Sequence, residues 1–293
     1  MKPISLKLFL PILFAGLLAG CGGGGQQQST LERIRETGVV RIGYANEAPY
    51  AYQDTATGEL TGEAPEIAKV ILEELGVTQV EGVLTEFGSL IPGLQAGRFD
   101  IIAAGMYILP ERCEQIAFSN PTYAIGEAFA VLQGNPKSLH SYEDIRDHED
   151  ATLGVVAGAV ERRYAREVGI PDDRVVVFPD APAALAGVRA GRVDAYGGTA
   201  LTVQDLLSKD GSGRLERADP FTDPVIDGVS VKGYGAFGFR KQDQDLKEAF
   251  NERLATFIGS DEHREIVEPF GFTEQELPGD VTADELCAGM TTD

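Results

Sequence analysis

Ala96-Gly97-Arg98-Phe99-Asp100 returns 94 residues later as Ala190-Gly191-Arg192-Val193-Asp194. Leu90-Ile91-Pro92-Gly93-Leu94-Gln95 leads into the first copy and Ile101-Ile102-Ala103-Ala104-Gly105 leads out of it. The second copy lies between Ala184-Leu185-Ala186-Gly187-Val188-Arg189 and Ala195-Tyr196-Gly197-Gly198. Each glycine falls where a helix takes a left-handed residue at its C-terminus, and the apolar run that follows suits a buried parallel strand. The repeat therefore predicts two similar α/β lobes. Two lobes that face each other enclose a cleft, which is where small ligands usually bind.

Outward from the first copy, Ser29-x-x-Glu32 has the form of a capping box and opens a short helix that Gly38 ends before a strand at 39–44. Ile67, Val70, Ile71 and Leu75 form a helical stripe between Pro65 and Gly76. A strand at 80–85, a helix at 89–96 and strands at 99–104 and 129–132 complete the first lobe, and the turn cluster Gln133-Gly134-Asn135-Pro136 marks the first crossover. The second lobe repeats the order: helix 142–147, strand 152–156, helix 160–168, strand 175–178, then the repeated helix and strand. After Gly211-Ser212-Gly213 comes another candidate strand ending near Val231, and two amphipathic helices, 245–258 and 261–268, close the chain. Lobe 1 is thus expected from 29–132 and 233–293, lobe 2 from 133–232, with a two-strand hinge between them. Gly233-x-Gly235-x-x-Gly238 has the letters of a dinucleotide loop, but a strand-like aromatic run follows where a helix must begin, so its glycines are read as a bend in the second crossover.

Lys2 and Lys7 precede an apolar run at 8–18 that is too short to span a bilayer as a mature helix. This reads as an export signal over 1–20. Leu18-Ala19-Gly20-Cys21 resembles the lipobox of bacterial lipoproteins, in which the cysteine is acylated. Gly22 to Gln28 holds no apolar residue, so 21–28 reads as a flexible tether. The expectation is an extracytoplasmic lipoprotein, in the periplasm or at the outer face of the cytoplasmic membrane and attached through its lipid alone. The formal charge is −21, and loss of 1–20 removes two lysines and no acid. So acidic a chain excludes nucleic acid, whose phosphates need a basic face. With Cys21 assigned to lipid, Cys113 and Cys287 remain as an even pair in an exported chain, either a disulfide or two buried thiols, and the disulfide is the natural reading. His140, His148 and His263 lack metal-ligand spacing and read as surface residues; no metal or cofactor is expected.

Gly105-Met106-Tyr107-Ile108-Leu109-Pro110-Glu111-Arg112 followed by Phe118-Ser119-Asn120-Pro121, with the order of elements and the lipoprotein start, resembles the extracytoplasmic solute-binding proteins of family 3, which serve ABC importers. The resemblance covers nearly all of 31–275 and implies a two-lobed, type II periplasmic-binding-protein-like α/β fold, a monomer that works with ABC permease subunits. It also implies that Arg112 forks onto a ligand carboxylate, as a planar guanidinium can and a lysine cannot. The family's α-amino-acid binders carry an aspartate for the ligand ammonium where this chain has Thr199. Asn46-Glu47-Ala48-Pro49-Tyr50, Thr61-Gly62-Glu63-Ala64-Pro65-Glu66, Phe87 before Gly88-Ser89-Leu90-Ile91-Pro92, Tyr107 and Glu161 are instead similar to the subgroup that takes ectoine and hydroxyectoine.

The chemistry of such a ligand agrees with these residues. Ectoine joins a ring amidinium to a carboxylate and so needs aromatic faces, an acid and an arginine together. Tyr50, Phe87 and Tyr107 supply faces, Glu47 accepts a ring N–H, and Arg112 holds the carboxylate. Gly158-Ala159-Val160-Glu161 lies where a strand gives way to a helix, so the Val160 backbone N–H meets an anion and Glu161 takes the remaining donors. The expected function is capture of a small zwitterion without catalysis. A polar amino-acid binder of the same family is the alternative, and prephenate or arogenate dehydratases on this fold would need Glu47 or Glu161 as a general acid.

Overall fold

The computed structural model describes residues 28–226 and 228–289. The expected export signal and the expected acylation site, Cys21, lie outside the described residues. Among the described residues no helix is long and apolar enough to cross a membrane, and no cluster of three or more His, Cys, Asp or Glu is placed to hold a metal ion.

Each copy of the pentapeptide builds the same corner. Gly97 and Gly191 take φ of 71 and 70° in the left-handed region, ending the helices Leu90–Gln95 and Ala181–Arg189. Arg98 N–H donates back to the Gly93 carbonyl at 3.0 Å, and Arg192 N–H to Gly187 at 2.9 Å. Phe99 and Val193 are buried, and the aspartates turn the chain into the strands Ile101–Tyr107 and Ala195–Thr199. Asp100 then accepts the Arg41 N–H at 3.0 Å, and Asp194 accepts the Thr152 N–H at 2.8 Å, so each aspartate pins the neighbouring strand.

The two sheets have one plan. The first runs Gln79–Leu84, Val39–Tyr44, Ile101–Tyr107, Gly233–Phe239, Ala117–Phe118, with Tyr123–Ile125 also on Gly233–Phe239. The second runs Val175–Phe178, Leu153–Val156, Ala195–Thr199, Glu127–Leu132, Leu215–Arg217. In both, the first three strands are parallel and the last two join antiparallel. This is the two-lobed, type II periplasmic-binding α/β fold. The antiparallel strands are exchanged: the first sheet takes Gly233–Phe239 from beyond the second, and the second takes Glu127–Leu132 directly after Ile125.

That exchange corrects two expectations. Strand Glu127–Leu132 does not close the first lobe but pairs over 127–131 with Ala195–Thr199, so the chain passes between sheets at Gly126 rather than at 133. Its residues are buried on both faces, the mark of an interior strand, and the turn at 133–136 simply ends it. The glycines of 233–238 do not bend a crossover. A Cβ on Gly233 would lie 1.8 Å from the Tyr107 ring and one on Gly235 2.1 Å from the Tyr123 ring, so the strand is glycine-rich to seat two aromatics. The helix Ala200–Lys209, absent from the sequence reading, follows the second repeat and is capped by Thr199.

The C-terminal helices Gln244–Phe257 and Asp261–Val267 pack on the first lobe. Cys113 and Cys287 form a disulfide that ties the helix Ala283–Cys287 to the turn Pro110–Cys113. Closing so long a loop contributes about 5 kcal/mol in the loop-entropy account. His263 is not at the surface: it is 3 % exposed, stacks edge-on against Phe257, and its Nδ1 accepts the Gly259 N–H at 3.3 Å. Burial, with the Arg264 charge beside it, lowers its pKa to about 4.

Candidate functional site

Where the two lobes meet they frame a narrow cavity of ≈ 30 Å³ that opens to solvent, and all seven candidate binding residues line it: Glu47, Tyr50, Phe87, Tyr107, Arg112, Val160 and Glu161. Gly105, Ala159 and Thr199 complete the wall. Gly105 belongs there because of its backbone: at φ 64° a side chain would strike the Tyr50 ring, and no periodicity in the sequence announces that.

The first lobe supplies the cation and the rings. Arg112 stands on the one-turn helix Pro110–Cys113, started by Pro110 at its first position and held by the disulfide at the next residue. Its Nη1 donates to the Tyr107 carbonyl at 2.8 Å and its Nη2 crosses to the Gly158 carbonyl at 3.0 Å. These bonds use two of the five N–H groups of a guanidinium. The Arg112 charge sits 5.6 Å from the centre of the Phe87 ring. Burial lowers its pKa, opposed by the charges of Glu161 and Glu111, but a guanidinium stays protonated at neutral pH. Tyr50, Tyr107 and Tyr123 pack in a row, with Tyr123 5.1 Å from Tyr50 and 6.4 Å from Tyr107. The Tyr107 hydroxyl is buried with no hydrogen-bond partner among the described residues.

The second lobe supplies an acid and backbone. Glu161 opens the helix Glu161–Val168, is 5 % exposed, and its Oε2 is buried with no partner among the described residues. Burial raises its pKa to about 8, against its own backbone N–H and Arg112 and with Glu47 adding to the rise. A cation brought beside Glu161 would oppose that rise, because an opposite charge favours the carboxylate. Glu47, across the gap, is also shifted upward by burial, offset in part by a hydrogen bond from Thr202.

Hydroxyls bridge the lobes. Tyr50 Oη donates to Thr199 Oγ1 at 3.0 Å, Thr199 to Thr202 Oγ1 at 3.0 Å, and Thr202 to Glu47 Oε1 at 2.8 Å. Thr202 was not among the candidates. Its signal was the missed helix: Thr199 in a capping position ahead of Val203, Leu206 and Leu207.

A planar cation, two acids and three aromatic rings around one cavity can hold a small ion of mixed charge. A probable amino-acid ABC transporter periplasmic-binding protein of Sinorhizobium fredii is 39% identical over 288 residues, 97% of this chain and 91% of that protein. The crystal structure of EhuB in complex with hydroxyectoine superposes with a TM-score of 0.80 at 39% identity, over 89% of this chain and 98% of that one. The ancestral amino acid-binding protein AncCDT-1, a precursor of cyclohexadienyl dehydratase, superposes with a TM-score of 0.70 at 27% identity, over 83% of this chain and 99% of that one. Residues 40–273 match the model of the bacterial extracellular solute-binding proteins, family 3, and the chain belongs to that family.

Proposed function

We propose that this chain is the lipid-anchored receptor of an ABC importer, held by an acylated Cys21, and that it closes over ectoine, hydroxyectoine or a zwitterion of the same build. The observation that supports this most is the convergence on one interlobe cavity of Arg112, Tyr50, Phe87, Tyr107 and two acids, one with an open acceptor. A ligand carboxylate lies against the free N–H groups of Arg112 and the Val160 N–H at the helix start. A delocalised ring cation lies across the aromatic faces, each contact worth about 0.5 to 2 kcal/mol once dry. Its N–H groups donate to Glu47 and to Glu161. The similarity to hydroxyectoine-bound EhuB is in keeping with this ligand. The lobe limits follow the strands: 29–125 with 233–289 form one lobe and 127–232 the other. Solute shifts the population toward the closed form by its differential affinity for that form.

A polar amino acid is the second reading, favoured by the name of the Sinorhizobium relative. Against it stands Thr199, a neutral hydroxyl where an α-ammonium would need a carboxylate. Titration calorimetry with ectoine, hydroxyectoine, proline betaine, arginine and glutamine, beside a turnover assay on prephenate, separates the readings. Saturable heat with ectoine or hydroxyectoine and no turnover is expected. Tight arginine or glutamine binding with no ectoine signal would hand the site to amino acids, and product from prephenate would end the non-catalytic reading.

A further inference from the structure

The hydroxyl chain crosses the interlobe gap twice. Tyr50 and Glu47 stand on the first lobe, between the strand Val39–Tyr44 and the helix Glu63–Glu74, while Thr199 and Thr202 stand at the head of Ala200–Lys209 in the second. Each hydroxyl donates forward in the same sense, so the chain has one terminus, Glu47 Oε1. The other oxygen of Glu47 has no protein donor among the described residues, and Glu47 lines the cavity. Thr202 does not line it and is 1 % exposed.

We propose that Thr202 is a positioning residue of the binding site: as the lobes meet, its hydroxyl fixes the Glu47 carboxylate with one oxygen bound and one left for the solute, and the chain it completes holds the lobes together before any solute arrives. The acceptor for the solute's N–H is then oriented by closure and is free to turn in the open protein. This follows from the two crossings of the hydroxyl chain, which add to the Arg112 bond to Gly158, and not from the identity of the solute, so it stands or falls apart from the ectoine reading.

The physical reason the effect falls on closure is the environment of the hydroxyl in each state. In the open form Thr202 and Glu47 face water and lose nothing by separation. In the closed form a valine at 202 keeps the shape of threonine but leaves the Thr199 hydroxyl and Glu47 Oε1 without their partner in a dry gap. Thr199 is a poorer probe, because its Oγ1 also accepts the Thr202 N–H and caps the helix.

Single-molecule energy transfer between dyes on the exposed residues Glu73 and Asp172, one on each lobe, reads the closed-to-open ratio of the solute-free protein. Thr202→Val is expected to lower that ratio about tenfold, which corresponds to ~1.4 kcal/mol, and Thr202→Ser, which keeps the hydroxyl, to restore it. Tyr50→Phe removes the chain's other crossing bond from the opposite lobe and is expected to lower the ratio about threefold. It serves also if the valine variant does not fold. Distributions that match the unsubstituted protein in the variants, whether because all close alike or because none closes without solute, would overturn the proposal, as would failure of serine to rescue.

Discussion

Asp100 and Asp194 end the two copies of one pentapeptide and do the same backbone task, yet their surroundings differ sharply. Asp100 is 1 % exposed and stands within 2.8 Å of Arg33, 3.1 Å of Arg41 and 3.5 Å of Arg240. Asp194 is 29 % exposed and has one cation, Lys137, at 3.1 Å, with the Thr152 hydroxyl beside it. The repeated sequence therefore fixes a skeleton and leaves the chemistry to residues that are not repeated. The cavity has the same asymmetry, with rings and the guanidinium on one wall and an acid and backbone on the other.

Substituting the two aspartates is the strongest test of that contrast. Asp100→Ala leaves three guanidiniums without their shared anion and is expected to cost about 3 kcal/mol, whereas Asp194→Ala is expected to cost about 1 kcal/mol, both read from urea unfolding. Equal losses would mean that the backbone pin is all that either contributes. The pH dependence carries the same signature. Burial pushes the Asp100 carboxyl up, but the hydrogen bonds from Arg41 and the charges of Arg33 and Arg41 outweigh it and hold the pKa below the ordinary 3.8. Its contribution is therefore fully present above pH 3.8 and is lost as pH falls through the lower folded value. In the Asp100→Ala protein that part of the acid limb should flatten.

The glycines of the exchanged strand give the next effect. Gly233→Ala drives a methyl into the Tyr107 ring and is expected to cost about 1 to 3 kcal/mol as overpacking, and to weaken solute binding because Tyr107 is displaced. The matched change Gly191→Ala, at a left-handed corner with open space around it, should cost about 1 kcal/mol through backbone strain and leave binding alone. Loss of binding in both would show that the corner and the site are not separable.

Arg112→Lys is the mildest change and bears directly on the asymmetry of the walls. It keeps the charge and loses the fork, and calorimetry should show binding weakened at least tenfold, about 1.4 kcal/mol. Unchanged affinity would move the carboxylate to the second wall.

Much of this is legible in the sequence. Ser29 and Glu32 form the capping box their spacing announces, and Gly97 and Gly191 take the left-handed corner that ends each repeated helix. These features are written in residues three to five apart, where a side chain's partner is its own turn. The seven cavity residues were also nameable, but from family motifs; no periodicity in the chain singles them out. The crossover at Gly126 is not legible there, because the turn cluster at 133–136 has the residues of a crossover and strand pairing has no local signature that says which sheet a strand joins. The burial of His263 is equally hidden, since a lone histidine between acids gives no hint of the Phe257 ring it packs on.

What the amino-acid order settled unaided is the pair of lobes, their corners and the cysteines available for bonding, because helix stops, strand runs and residue chemistry are local quantities. Only the tertiary structure decided the exchange of antiparallel strands, the seating of Tyr107 and Tyr123 on glycines, and the hydroxyl chain through Thr202. Those contacts join residues far apart in the chain, Tyr50 to Thr199 across 149 positions and Glu47 to Thr202 across 155. Long-range pairings of that kind are selected by the packing of the whole and not by any short stretch.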